Sequence, residues 1–375
     1  MPAATATKPA RKIKVQPIVA PPTPAQVVKA IAPYITAWDR VGTAFTDPKS
    51  ATQAIQDAGL DYVFESAPLV PVTLKDGSTV AIKNRVAVVR QAKGTSPAIV
   101  VGLVHPNYPI LQPLDEAAVL DPVTKTWPVV AAGEVDKGAG TFMVMDAGES
   151  KIKGHVLHEY YLVYDYRDGR HAMQTVFAPV WGPYRTILMT GMRSASMRIS
   201  IPHTHGRFQA DAKFYINFMA RVRSARDAVV DKLRKLGDTS ITSAQTDRVL
   251  ATAYPTPSKP KALVVTQAVD EDGLTPSNDP AEAAEMTERL KIAQERWDYY
   301  RNRVLAMRAS CLEVLLQITT EFPDLAGTAL ALYIAVAKYE DHRRGSRSAA
   351  ESTVFGLRAR TKEIAFQTIL SETGV

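Results

Sequence analysis

Residues 157–177 read LHEYYLVYDYRDGRHAMQTVF, and this stretch decides the fold class. Leu157–Tyr164 and Ala172–Phe177 are strand-length runs rich in aromatic and β-branched residues. Between them, Asp165-Tyr166-Arg167-Asp168-Gly169 supplies the Asp and Gly of a tight turn. Strands joined so closely run antiparallel, because a parallel pair needs a crossover of about a dozen residues or more. The pattern repeats outward from here. Val80-Ala81-Ile82, Val86–Val89, Ile99–Val104 and Gly140–Met145 are further runs, and Lys75-Asp76-Gly77-Ser78 turns the chain ahead of the first. Leu60–Thr190 therefore predicts five or six antiparallel strands with no helical crossover between them.

Elsewhere the period is helical. Ala51, Ala54, Ile55 and Ala58 share one side of a short helix opened by Asp47-Pro48 and stopped by Gly59, and Val27, Val28 and Ile31 mark another. Between Ile187 and Leu236 two helical pieces flank Pro202. In the second, Phe214, Phe218, Val222, Ala225, Val229, Leu233 and Leu236 form one apolar stripe. Thr252–Pro280 is broken by prolines and reads as an exposed excursion. Then Met286, Leu290, Ala293, Trp297, Tyr300, Val304, Met307, Cys311, Val314 and Ile318 alternate steps of four and three, as a coiled-coil seam does. Between Pro280 and Pro323 this helix runs about forty residues, on the order of 60 Å. Its expected partner is the 208–236 helix, folded back as an antiparallel hairpin, with a partner subunit as the alternative. Residues 324–344 and 353–371 give two further helices. The fold class is thus α+β: an antiparallel β-sheet with packed basic helices, then a long antiparallel helical hairpin and C-terminal helices. The parts are a disordered basic arm over 1–24, an α+β core over 25–237, a Pro-rich and acidic excursion over 238–280, and a helical region over 281–375.

The 375 residues carry 45 Lys and Arg against 38 Asp and Glu, and one cysteine. A single thiol excludes a disulfide scaffold and any metal site built from several thiolates. No run approaches the ~18 apolar residues of a membrane span, and the first twenty residues lack the apolar core of a secretory signal, so a cytoplasmic protein is expected. The charge is segregated. Trp181–Leu236 holds eleven basic residues and three acids, more net charge than the +7 of the whole chain, whereas Thr266–Glu288 holds seven acids and no base. Clustered cations suit a polyanion, whose counterions are released when several phosphates are neutralised together. The plain alternative is the solvated side of an amphipathic helix. Candidate phosphate contacts are Arg185, Arg193, Arg198, Arg207, Lys213, Arg221 and Arg223. Tyr161 and Tyr184 are candidate stacking partners for unpaired bases, although tyrosine is also an ordinary strand residue. Arg343, Arg344 and Arg347 form a secondary basic patch, and the arm around Arg11, Lys12 and Lys14 is expected to fold over a bound strand.

No G-x-x-x-x-G-K-[ST] loop occurs, which disfavours ATP-driven chemistry, and neither a dinucleotide-binding glycine pattern nor a G-x-S-x-G elbow is present. Cys311 falls on the seam, an apolar position. His155 with His158, and His203 with His205, are close pairs lacking a third ligand at a recognisable spacing, so no metal and no cofactor is expected. The catalytic alternative is a metal-dependent nuclease or nucleotide-modifying enzyme using Asp165, Asp168, His203 and His205. Asp341-His342-Arg343-Arg344 suits a helix C-terminus, where cations meet the negative end of the dipole.

A series of blocks then carries a resemblance. Trp38 with Gly42, Ala58–Tyr62, Val88-Val89-Arg90, Gly102-Leu103-Val104, Asn107-Tyr108-Pro109-Ile110, Asp165–Gly169, Pro179–Arg185 and Ile201–Thr204 come first. Ala329-Leu330, Ile334-Ala335-Val336, Tyr339, Asp341-His342-Arg343 and Ser352–Leu357 follow. In order and spacing this is similar to a phage/plasmid-like family catalogued as a domain of unknown function and carried by phages, prophages and plasmids. It departs at Thr186–Met192, where family members commonly show Cys-x-Asn-Thr. At one remove, the succession of helices, antiparallel strands and a basic helix resembles single-strand annealing recombinases of the Redβ, RecT, Erf and Sak kind. The resemblance implies an ATP-independent single-stranded DNA-binding and annealing protein of a mobile element, acting in recombination or replication as a homo-oligomeric ring or filament. A structural or regulatory phage protein that binds no DNA is the other alternative.

Overall fold

The computed structural model describes residues 37–38, 41–188, 198–201, 212–260, 280–343 and 356–375. The hairpin read from residues 157–177 is present: strand β9 (His155–Tyr166) pairs antiparallel with β10 (Met173–Phe177), Tyr161 opposite Phe177. Around it, β1 (Thr43–Lys49), β7 (Val129–Val135), β8 (Gly140–Ile152), β9, β10 and β13 (Arg198–Ile201) lie side by side in that order, every neighbouring pair antiparallel. The short β11 (Val180–Trp181) and β12 (Thr186–Ile187) extend from β9 at its other end. The β8–β9 hairpin is longer than the runs Gly140–Met145 and Leu157–Tyr164 suggest. It continues through Ala147–Ile152 to a two-residue turn at Lys153-Gly154, both left-handed (φ 50° and 78°), the conformation that twists with the flanking strands.

Both faces of this sheet are covered. On one, Met145, Leu157, Tyr161, Val163 and Phe177 join a core shared with the helices. On the other, Phe142, Leu162, Tyr164 and Val176 pack with Trp38 and Ala359. A second, smaller sheet, β2 (Phe64–Pro68), β5 (Val86–Arg90) and β6 (Ile99–Val104), carries a ribbon of β3 (Val72–Thr73) and β4 (Thr79–Val80), closed by the expected turn with Ser78 N donating to Asp76 at 2.9 Å.

Helix α1 (Ala51–Asp57) starts at the N-cap Ser50, and Gly59 follows its end at φ 68°. Two helices depart from the strand and loop readings. The stretch between β6 and β7 contains α2 (Pro113–Thr124), which connects the two sheets. Pro113 at its start and Asp115 and Glu116 in its first turn are helix-opening residues. Residues 243–253 form α4 (Ser243–Ala253), opened by a capping box between Thr242 and Gln245. A third departure is Arg198–Ile201, which is strand β13 rather than part of a helix.

Helix α3 (Ala212–Asp238) lays Phe218, Val222, Val229, Leu233 and Leu236 into the core. The long α5 (Pro280–Glu321) has the expected extent, but the helix it folds back against is α6 (Ala329–His342), not α3. Helix α6 is buried along nearly its whole length, touching α3, α5, β12 and α7 (Leu357–Thr373). Buried charges pin the layers. The Arg167 guanidinium donates to Glu116 (2.6 Å), to Thr141 (2.7 Å) and to the Leu111 carbonyl (3.2 Å), tying α2 to the β9–β10 turn. Lys362 of α7 pairs with Asp341 of α6 and donates to the Ile187 carbonyl at 2.9 Å, while the Ile187 amide donates to Asp341 at 2.9 Å. No helix among the described residues is long and apolar enough to cross a membrane.

Candidate nucleic-acid interface

Of the cations expected to meet phosphate, Arg221 and Arg223 project into solvent from α3, and Arg185 is exposed just after the turn at Gly182–Tyr184. Arg198 lies on β13 and Lys213 in the first turn of α3. Arg193, Arg207, Arg344 and Arg347 lie outside the described residues, as do Arg11, Lys12 and Lys14 of the arm.

The exposed side of α3 is not one sign. Asp227, Asp231 and Asp238, four and seven residues apart, share its solvent face, and each is paired: Asp227 with Arg226 (3.1 Å), Asp231 with Lys235 (3.0 Å) and Asp238 with Lys153 of the β8–β9 turn (2.6 Å). Arg226 also donates to Glu159 at 2.5 Å. Glu159 is fully buried on β9, so this guanidinium holds a carboxylate inside the fold, which in turn raises the Arg226 pKa. Arg343 likewise pairs with the buried Glu340 at 2.8 Å.

The two tyrosines are corrected more sharply. Tyr161 is 1% exposed; its ring packs against Trp127 (4.5 Å between centroids) and Phe177 (5.9 Å), and burial pushes its phenol pKa up. It faces the core because it shares strand parity with Leu157 and Val163. Tyr184 is half-buried. It donates to Glu321 at 2.5 Å, stands edge-on to Phe322, and carries the Lys338 ammonium 3.5 Å from its ring centre. The Tyr161 ring is closed to a base, and on Tyr184 the Lys338 ammonium already occupies a ring face. Of the residues of the catalytic alternative, His203 and His205 lie outside the described residues. Asp165 is buried beside Arg167, Asp168 accepts from the amides of Arg170 and His171 and pairs with the His171 ring (2.7 Å), and among the described residues no three His, Cys, Asp or Glu gather as a metal site.

The arrangement best suited to a strand lies on α5. The apolar seam is buried only in its second half, where Cys311 and Ile318 are 0% exposed; burial raises the Cys311 thiol pKa. In the first half Met286 is 59% and Tyr300 44% exposed. The chain leaving α4 is strapped along this half. Arg308 donates to the Tyr254 carbonyl (2.7 Å), and the Trp297 indole donates to the Pro257 carbonyl (3.1 Å). Pro255, Pro257 and Pro260 hold the strap extended. Between strap and helix runs a groove of about 420 Å³ lined by Pro257, Ser258 and Pro260 on one side and Arg289, Ile292, Ala293, Arg296, Trp297 and Tyr300 on the other. The Arg296 guanidinium lies 6.0 Å from the Tyr300 ring and that of Arg301 lies 5.4 Å from Trp297. Among the described residues no acid lines it; Arg289 has an exposed partner one turn back, Glu285 at 2.5 Å, a pair of small energetic weight.

These residues escaped the sequence reading although the signal was present. The positions on either side of the seam from Thr287 to Arg308 are Thr287, Arg289, Gln294, Arg296, Arg301, Arg303 and Arg308: five arginines and no acid. A count of charge along the chain blurs this, because on the remaining positions Glu285, Glu288, Glu295 and Asp298 against Lys291 leave the stretch from Glu285 to Arg308 a net charge of only +2.

A family model described as Domain of unknown function (DUF932) matches residues 100–361. The chain belongs to the DUF932 family. The DUF932 match spans β6 to the start of α7, and so includes the strap and the whole of α5. No curated protein and no solved structure matches the chain.

Proposed function

We propose that this DUF932 protein binds single-stranded DNA without nucleotide hydrolysis and promotes its annealing by neutralising phosphate repulsion, as a mobile element's recombination or replication would need. One observation carries the reading: a partly exposed aromatic and apolar stripe with arginines along both of its borders and no acid among them. A second copy of the same helix is a poor cover for this stripe. In a parallel pair Arg296 would meet Arg301 and Arg303 would meet Arg308, and an antiparallel pair would again set arginine rows face to face. A polyanion with planar bases fits both features, since phosphates take guanidinium groups and bases stack on rings. A ring or filament of subunits, if formed, would use other surfaces, and light scattering reports it.

The test is binding of the purified chain to single- and double-stranded oligonucleotides over a salt series. Four neutralised phosphates on a single strand give a slope of log K against log salt of roughly −3. Undetectable binding at about 50 mM salt, where such contacts are strongest, overturns the proposal.

A further inference from the structure

We infer that the groove between α5 and the Pro257–Pro260 strap seats an unpaired nucleobase against Trp297 and Tyr300, and that this pocket makes the chain distinguish single from double strands. The inference rests on the proposed nucleic-acid binding and assigns its selectivity to one place. The groove has the size of a small-ligand cleft, ~300–1,000 Å³. Its floor is a ring pair, Trp297 and Tyr300, one helical turn apart on the same side of α5. Trp297 is held in place by its hydrogen bond to the Pro257 carbonyl, so the indole is set before a ligand arrives. Arg289 and Arg296 stand on the same wall, where phosphates flanking an inserted base would lie. A base paired within a duplex presents only its edge and cannot enter such a cleft without leaving its stack. Single strands incur no such cost.

Trp297 also provides the readout. Trp38 and Trp181 are fully buried and Trp127 nearly so, while Trp297 is half-exposed in the groove, so a ligand entering the groove changes Trp297 emission before that of the others. The full chain is titrated with an oligothymidylate and with a blunt duplex at the same low salt, following tryptophan emission and affinity together. The expected result is quenching by the single strand and little by the duplex. Trp297→Ala should lose this quenching and about tenfold in single-strand affinity, with duplex affinity unchanged. Trp297→Phe keeps a ring and should retain most of the affinity, which separates stacking from damage to the strap; circular dichroism checks that both variants fold. If both nucleic acids bind but emission and selectivity are the same in Trp297→Ala and the unaltered chain, the pocket assignment is wrong while nucleic-acid binding stands. If poly-glutamate quenches Trp297 as strongly as the oligonucleotide at equal charge, the groove reads anionic polypeptide and the base assignment is overturned. If no nucleic acid binds at all, the inference goes down with the functional reading beneath it.

Discussion

Helices α3 and α5 both carry rows of arginine, and the two rows do different work. On α3 the net positive charge is high, yet every acid of the helix's solvent face holds a cation and Arg226 is turned inward onto a buried carboxylate. On α5 from Thr287 to Arg308 the net charge is comparable, six bases against three acids, but the arginines border one stripe and two of them lie over its rings. Net charge over a segment is therefore a poor guide to a binding face. Position relative to the apolar stripe is the better one.

That contrast can be broken most forcefully at Arg226. Arg226→Ala leaves Glu159 buried without its cation and is expected to cost about 3 kcal/mol of stability in a urea titration, within the range for breaking a buried pair; Arg296→Ala on α5 should stay within about 0.5 kcal/mol. An equal effect of the two would erase the distinction between structural and available arginines. The reciprocal measurement is affinity. Replacing Arg289, Arg296 and Arg301 together by Ala should weaken oligonucleotide binding roughly thirtyfold at low salt, about 2 kcal/mol, and flatten its salt dependence.

A smaller effect concerns a second buried carboxylate. Burial, with Asp165 nearby, pushes the Glu116 carboxyl up to about 8 despite Arg167. The folded chain thus holds that proton more tightly than the unfolded one, so this contribution to stability is full below the unfolded value of about 4.5 and is lost as pH rises through about 8. The free energy of unfolding should decline between pH 5 and 8.5, and Glu116→Gln should flatten the decline; the lowered carboxyls of Asp61 and Asp168 act below this window. The smallest expected effect belongs to Arg221→Ala with Arg223→Ala, less than about threefold in affinity and within 0.5 kcal/mol in stability. A larger loss of affinity than from the α5 triple would return the binding face to α3.

The fold was legible where period and turn chemistry agree, as in β9, β10, α1, α6 and α7. It was not legible where a buried helix face carries polar side chains or the strand surface is polar. Helix α2 buries one face, but Glu116 and Thr124 stand on it beside Ala117, Leu120 and Val123 and Pro122 lies inside the helix, so no clean apolar stripe announces it. The outer part of β8, Ala147–Lys151, looks like a loop because Gly148, Glu149 and Lys151 are exposed and no residue of it is aromatic or β-branched. The seam on α5 shows that a stripe must be covered somewhere but not by which helix, and half of it is covered by none among the described residues. The site was less legible still. Arg226 stands four residues after Val222 and three before Val229, so the α3 stripe already placed it inward, whereas Arg221 and Arg223 are off that stripe.

The double tether on Ile187 has a consequence for biosynthesis. Its amide waits for Asp341 and its carbonyl for Lys362, partners 154 and 175 residues further along. Contacts of such separation form late and slowly. A nascent chain emerging from the ribosome can zip its β8–β9 hairpin early, but β12 cannot be locked down until almost the last helix has been translated, so a chain stalled before residue 362 would present an unfinished sheet to chaperones.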